Sequence, residues 1–220
     1  MKLLREYIRE LLTEARFNVI DLEELDYTIW FTSDGESFDI KLLSDWPPER
    51  RGRIVGQISG FEAQPSEEGQ CLGAHVVTWS AVQDSGWGPL LYDLAIEYAT
   101  SKGSGLASDR SIVSDDAHFV WDKYLATRQG DVEMVQMDDM DDRLTPGSEN
   151  DNCKMTMAYA RGLPGGTWWD EDEEDNIPWD PYGKNVLEKS SLSKMARWKG
   201  APNIQTLKDM GRWKEGRDPS

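Results

Sequence analysis

The 220-residue chain contains only two cysteines, Cys71 and Cys153, 82 positions apart. That is neither a disulfide framework nor the close spacing of a zinc site, and it fits a reducing compartment. Histidine is equally scarce, with His75 and His118 alone, so metal centres built from Cys and His are excluded and no metal ligands are expected. Neither G-x-S-x-G nor H-E-x-x-H occurs, which removes the commonest hydrolase signatures. No apolar run approaches the roughly 18 residues of a membrane span, so no membrane partner is expected. Basic residues are also few: 24 Lys and Arg face 41 Asp and Glu, for a net charge of -17. A field of that sign repels nucleic acid and acidic lipid.

The charge is unevenly distributed. Residues 131 to 180 hold 15 acids against Arg143, Lys154 and Arg161, whereas from residue 181 onward nine cations oppose Glu188, Asp209, Glu215 and Asp218. Segments of opposite sign suggest separate roles. The predicted organisation is an amphipathic helix over 1–15, a domain over 16–162, an acidic Trp-rich linker over 163–183 and a basic helical tail over 184–220. The tail carries an echo, Met195-Ala196-Arg197-Trp198-Lys199 and Met210-Gly211-Arg212-Trp213-Lys214. Paired indoles and cations of this kind could stack on single-stranded nucleic acid, the one exception to its expected exclusion, or fold back onto the acids at 170–175.

Between these ends the pattern alternates strand and helix signals. Tyr27 to Thr32 and Ser37 to Leu42 flank Asp34-Gly35, a strong hairpin signal. Arg53 to Phe61 and Gly73 to Val82 form a second strand pair around a polar loop. A helix follows, with Leu90, Leu91, Leu94, Ala95 and Tyr98 on one stripe and Gly103 as its stop. Then come a short strand from Gly105 to Asp109, a helix capped by Ser114, and a strand from Val132 to Met137. Cys153 to Tyr159 could be a further strand.

The segment Gln83-Asp84-Ser85-Gly86-Trp87-Gly88-Pro89 joins the fourth strand to the first long helix. A glycine turn entering a helix presents backbone N–H groups at the positive end of the helix dipole, where a phosphate can approach closely. Pro89 suits a first helical turn, where a missing N–H costs little. Q-x-x-G-x-G in this position resembles the acyl-CoA pyrophosphate loop of the GNAT family of N-acetyltransferases, and the strand and helix order over roughly residues 17 to 137 is similar to that family's.

The resemblance implies an α+β fold: a GNAT-like mixed, mostly antiparallel sheet flanked by helices, splayed open near the fourth strand. It implies acetyl-CoA as acyl donor and an amine-bearing small molecule or protein as acceptor. The pantetheine arm would pair with the backbone of Val77, Thr78 and Trp79, and Gln83, Asp84, Ser85, Gly86, Trp87, Gly88 and Pro89 would hold the pyrophosphate. The family's usual acid, a tyrosine in the second helix, is replaced at the matching count by Trp121; Tyr124, one turn on, is the nearest phenol. His75, on the fourth strand, and Glu62, just past the third, are the candidate bases. A structural histidine and a core aromatic are the competing readings of His75 and Tyr124.

The helix over 1–15 ends in Leu12-Thr13-Glu14-Ala15, which resembles the prohead-protease cleavage pattern of large tailed phages. That resemblance implies a capsid-targeting peptide cut after Glu14, phage capsid components as partners, and a location in the bacterial host cytoplasm or packaged in the virion. An ordinary amphipathic helix docked on the domain is the alternative. Two functions follow: acyl transfer from acetyl-CoA to an amine, or a catalytically inactive virion or internal head protein that keeps the fold.

Overall fold

The computed structural model describes residues 18–45, 52–63, 73–83, 86–109, 113–114, 117, 120–122, 127–137, 191 and 194–216. The expected N-terminal helix, the acidic linker and the 153–159 strand all lie outside them. The described residues form a mixed α+β fold whose strands make one mostly antiparallel sheet. The strands are β1 (Tyr27–Ser33), β2 (Ser37–Ser44), β3 (Arg53–Glu62), β4 (His75–Val82), β5 (Leu106–Ala107), β6 (Val132–Gln136), β7 (Lys194–Trp198) and β8 (Trp213–Glu215). The helices are α1 (Asp21–Glu24), α2 (Gly88–Lys102) and α3 (Asn203–Asp209). Hydrogen bonding orders the strands β6-β7-β5-β4-β3-β2-β1-β8. The β4–β5 and β1–β8 ladders are parallel, and β1–β2, β2–β3, β5–β7 and β6–β7 are antiparallel.

The chain forms two compact units, one of Met1–Phe61, Val77–Tyr98 and Ala201–Ser220, the other of Glu62–Val76 and Ala99–Gly200. In the first, the hairpin turn is fixed locally: the Asp34 carboxylate accepts the N–H groups of Glu36 and Ser37 at 3.1 and 2.7 Å, with the Ser37 hydroxyl donating at 2.9 Å. These bonds, Ser37's first, hold the Asp34 carboxyl below its usual range. Ile29, Ile40, Leu42 and Ile58 from the strands and Leu90, Leu91 and Leu94 from α2 are buried. Each such side chain contributes about 1.5–3 kcal/mol by leaving water. Phe31 stacks on Trp213 at 5.2 Å between centroids and meets Tyr98 at 4.8 Å. Glu97 accepts the N–H groups of Asn203 and Ile204, capping α3 from another helix; burial raises its pKa and those two bonds partly offset the rise.

The second unit is centred on β5, flanked by β4 and β7. His75 and Val76 pair with Leu106 and Ala107, and these pair with Ala196 and Met195. Leu106, Ala107, Met195 and Ala196 are all fully buried. Gly105 makes the approach possible: it sits at φ +143°, and a Cβ there would lie 2.5 Å from the Ala196 carbonyl oxygen and 2.8 Å from Met195 Cγ. Both strain and overlap penalise any side chain. Gly105→Ala is therefore expected to lower stability by about 2–3 kcal/mol, read as a fall in the urea midpoint; an unchanged midpoint would mean this contact is not made.

Two expectations about the tail are corrected. Lys194–Trp198, expected to be helical, is a strand, and it is this segment that pairs with β6, in the register Val132↔Trp198 to Gln136↔Lys194. Trp213–Glu215 is also a strand, parallel to β1, so among the described residues of the tail only Asn203–Asp209 is α-helical. Trp213 is buried against Phe31, and the Arg128 guanidinium lies 5.6 Å from the Trp198 ring centroid. Among the described residues no helix is long and apolar enough to cross a membrane.

Candidate functional site

The expected pyrophosphate loop begins where β4 ends. Gln83 donates its N–H to the Val55 carbonyl at 2.8 Å, continuing the pairing with β3 for one residue, and its side-chain oxygen accepts from Arg53 Nη2 at 2.7 Å. Gly86 has φ +95°, a left-handed conformation that glycine adopts without a Cβ penalty. Trp87 is buried with its ring 4.8 Å from that of Tyr27, which anchors the loop's exit. The helix starts at Gly88 and includes Pro89, and no acidic residue occupies its first turn. Its N-terminal N–H groups and dipole are thus unopposed by a carboxylate on the helix itself. Asp84 and Ser85 lie outside the described residues.

Arg53 is a component that the sequence did not reveal. It is thirty positions before Gln83 and is brought to the loop by the β3–β4 pairing. Its described partner is a neutral amide, and among the described residues no carboxylate is paired with it. The result is a cation held at Gln83, where the loop leaves β4, in a chain of net charge -17.

On β4 the burial pattern changes along the strand: His75, Val76 and Val77 are buried, while Thr78 to Val82 are exposed, with Trp79 59 % exposed. The ladder to β5 covers only His75↔Leu106 and Val76↔Ala107, so it stops one residue, Val77, before the exposed half begins. Thr78 keeps its side chain on β3 through a bond from its hydroxyl to the Ser59 carbonyl at 3.3 Å.

The candidate bases lie together in the second unit. His75 is 2 % exposed, and burial pushes its imidazole pKa below 6.5, while the negative charge of Glu62 acts in the opposite direction. Glu62 itself is exposed at the end of β3. A buried, neutral imidazole beside a carboxylate can accept a proton near neutral pH. Tyr124 lies outside the described residues. Trp121 is 1 % exposed and helical, and the cap predicted for its helix is formed, with Ser114 Oγ accepting from Ala117 N at 3.2 Å. Ser108, directly after β5, is another residue missed from sequence: its hydroxyl is buried and has no hydrogen-bond partner among the described residues. Alternation in a short strand marks the position but not the burial of its oxygen.

A cavity of about 770 Å³ in the first unit has Phe31, Phe38 and Phe61 in its walls with Asp34, Asp39 and Glu215. Its carboxylates are already committed within the fold: Asp34 to the hairpin turn, Asp39 to Gln57, Ser59 and Lys41, Glu215 to Trp213 and Lys208. Compared with protein-family models, curated proteins and solved structures, the chain matches none.

Proposed function

We propose that the protein binds an acyl-CoA along β4 and at the Gln83–Pro89 loop and transfers its acyl group to an amine. The observation that carries this reading is the loop itself: a strand that ends, a glycine at φ +95°, and a fifteen-residue helix whose first turn holds no acid, with Arg53 fixed beside it. Backbone N–H groups, dipole and guanidinium then share one doubly charged pyrophosphate. Beyond the end of its ladder to β5 at Val76, β4 would offer the backbone of Val77, Thr78 and Trp79 to the amides of a pantetheine arm. The amine lone pair attacks the thioester carbonyl, His75 takes the amine proton, and the C–S electrons leave on sulfur. The protein's acidic field favours a basic acceptor.

A second reading, an inactive protein that keeps the fold within a phage particle, is favoured by one observation: Trp121, buried where the resemblance expects a tyrosine, has no acidic proton to give a thiolate. The two are separated by following thiol release from acetyl-CoA over a panel of primary amines and polyamines. Acceptor-dependent release supports transfer, while saturable coenzyme binding with no release over any acceptor favours the inactive form.

A further inference from the structure

We propose that the cavity in the first unit binds an organic ammonium ion, with its charged nitrogen towards Asp34 and its apolar body among Phe31, Phe38 and Phe61. The assignment does not rest on the acyl-CoA reading, because every described wall residue belongs to the first unit and the ligand carries no phosphate. A volume of about 770 Å³ lies within the roughly 300–1,000 Å³ of small-molecule sites. The described walls hold phenylalanines, glycines and small hydroxyl residues together with Asp34, Asp39 and Glu215, and no lysine or arginine. An anion meets repulsion there, and a neutral apolar ligand strips water from the carboxylates without replacing it. A cation on an apolar body suits both kinds of wall, because the face of an aromatic ring attracts positive charge as a carboxylate does. The rings are held in place by the fold: Phe31 and Phe38 both pack on the Tyr98 ring, at 4.8 and 5.2 Å between centroids, and Phe31 also stacks on Trp213.

The three carboxylates are not equivalent. Asp39 is balanced by Lys41 at 3.4 Å and Glu215 by Lys208 at 2.8 Å. Among the described residues Asp34 has no cation: its donors are the N–H groups of Glu36 and Ser37 and the Ser37 hydroxyl. Those bonds place the charge without cancelling it, and they keep the carboxyl ionised by lowering its pKa. They occupy three of the roughly four lone-pair sites of a carboxylate, which leaves one for an ammonium N–H. Asp34 is also exposed, so a ligand reaches it without any movement of the hairpin.

Calorimetric titration with ω-phenylbutylamine and with ω-phenylbutanol, which keeps the body and replaces the ammonium by a hydroxyl, tests the assignment on wild type, Asp34→Asn and Phe61→Ala. Wild type is expected to bind the amine saturably at one site per chain, with a dissociation constant below about 1 mM, the upper end of ordinary KM values. The alcohol should bind at least about tenfold more weakly. Asparagine keeps an acceptor oxygen for the turn, so Asp34→Asn should melt close to wild type. Its affinity for the amine should fall about five- to tenfold, with no change for the alcohol. Phe61→Ala should weaken the amine about threefold or more through the lost ring face. Absence of amine binding in wild type overturns the assignment, as does equal affinity for amine and alcohol; an amine affinity unchanged in either variant places the ligand elsewhere and overturns it too. Titration with acetyl-CoA is a separate arm: a protein that binds the amine and not the coenzyme loses the acyl-CoA reading and keeps this site, and one that binds only the coenzyme loses this site alone.

Discussion

The double variant Gly86→Glu, Gly88→Glu is expected to lose at least about 100-fold in affinity for acetyl-CoA, or about 2.7 kcal/mol, while keeping most of its stability. Three effects act together. Gly86 stands at φ +95°, where a Cβ is strained, so the turn must open or store about 1–3 kcal/mol. Gly88 begins α2 and has Val82 Cγ2 3.8 Å from the place of a Cβ, so its substitution is accommodated sterically and acts through charge and bulk. Two carboxylates would then occupy a helix N-terminus whose first turn has none, filling with protein the place proposed for a pyrophosphate. The carboxylates themselves favour the helix dipole, which limits the cost to the fold. Loop variants that bind as tightly as wild type would remove the loop from the site. Arg53→Gln should show the same loss in smaller measure, because it removes one cation and leaves the backbone N–H groups intact.

His75→Gln is expected to lower kcat about 100-fold with little change in the affinity for acetyl-CoA, the usual scale for removal of a positioned base. The pH profile supplies an independent readout. Burial disfavours the imidazolium, and the Glu62 charge only partly restores it, so the folded pKa lies below 6.5 and the neutral base predominates at pH 7. The acid limb of kcat/KM should therefore fall below pH 6.5, and Glu62→Gln should move it lower still. Linkage gives the same sign for stability: with a depressed folded pKa, the contribution of His75 is complete above pH 6.5 and is lost as pH falls through the folded value. A His75→Gln protein should show a shallower fall in urea midpoint between pH 7 and pH 5. Wild-type turnover in this variant would take His75 out of the mechanism and leave it a buried residue of β4.

The elements that could be read in the sequence are those whose determinants are local. The β1–β2 hairpin follows from Asp34 bonding to its own turn, and α2 from a helical stripe between a glycine turn and Gly103. The strands β7 and β8 could not be read this way. Lys194–Trp198 is five residues long, and its consecutive residues Met195 and Ala196, which face opposite sides of the sheet, are both buried. A strand enclosed on both sides shows no alternation, and over five residues its pattern is compatible with a helix. Its identity is decided by pairing with residues 58 to 66 positions away. The site divides in the same manner. The glycines of the loop were legible because backbone conformation depends on residue type, whereas Arg53 reaches the loop only through strand pairing and Ser108 is distinguished only by its burial.

The most direct test of the acyl-CoA reading is calorimetric titration of the wild-type protein with acetyl-CoA up to about 1 mM, the upper end of ordinary KM values. The expected result is saturable binding at one site per chain, weakened by salt because the phosphates carry much of the attraction. An absence of binding at that concentration would contradict it, leaving the glycine turn before α2 as a structural connection and Arg53 as a residue that ties β3 to β4.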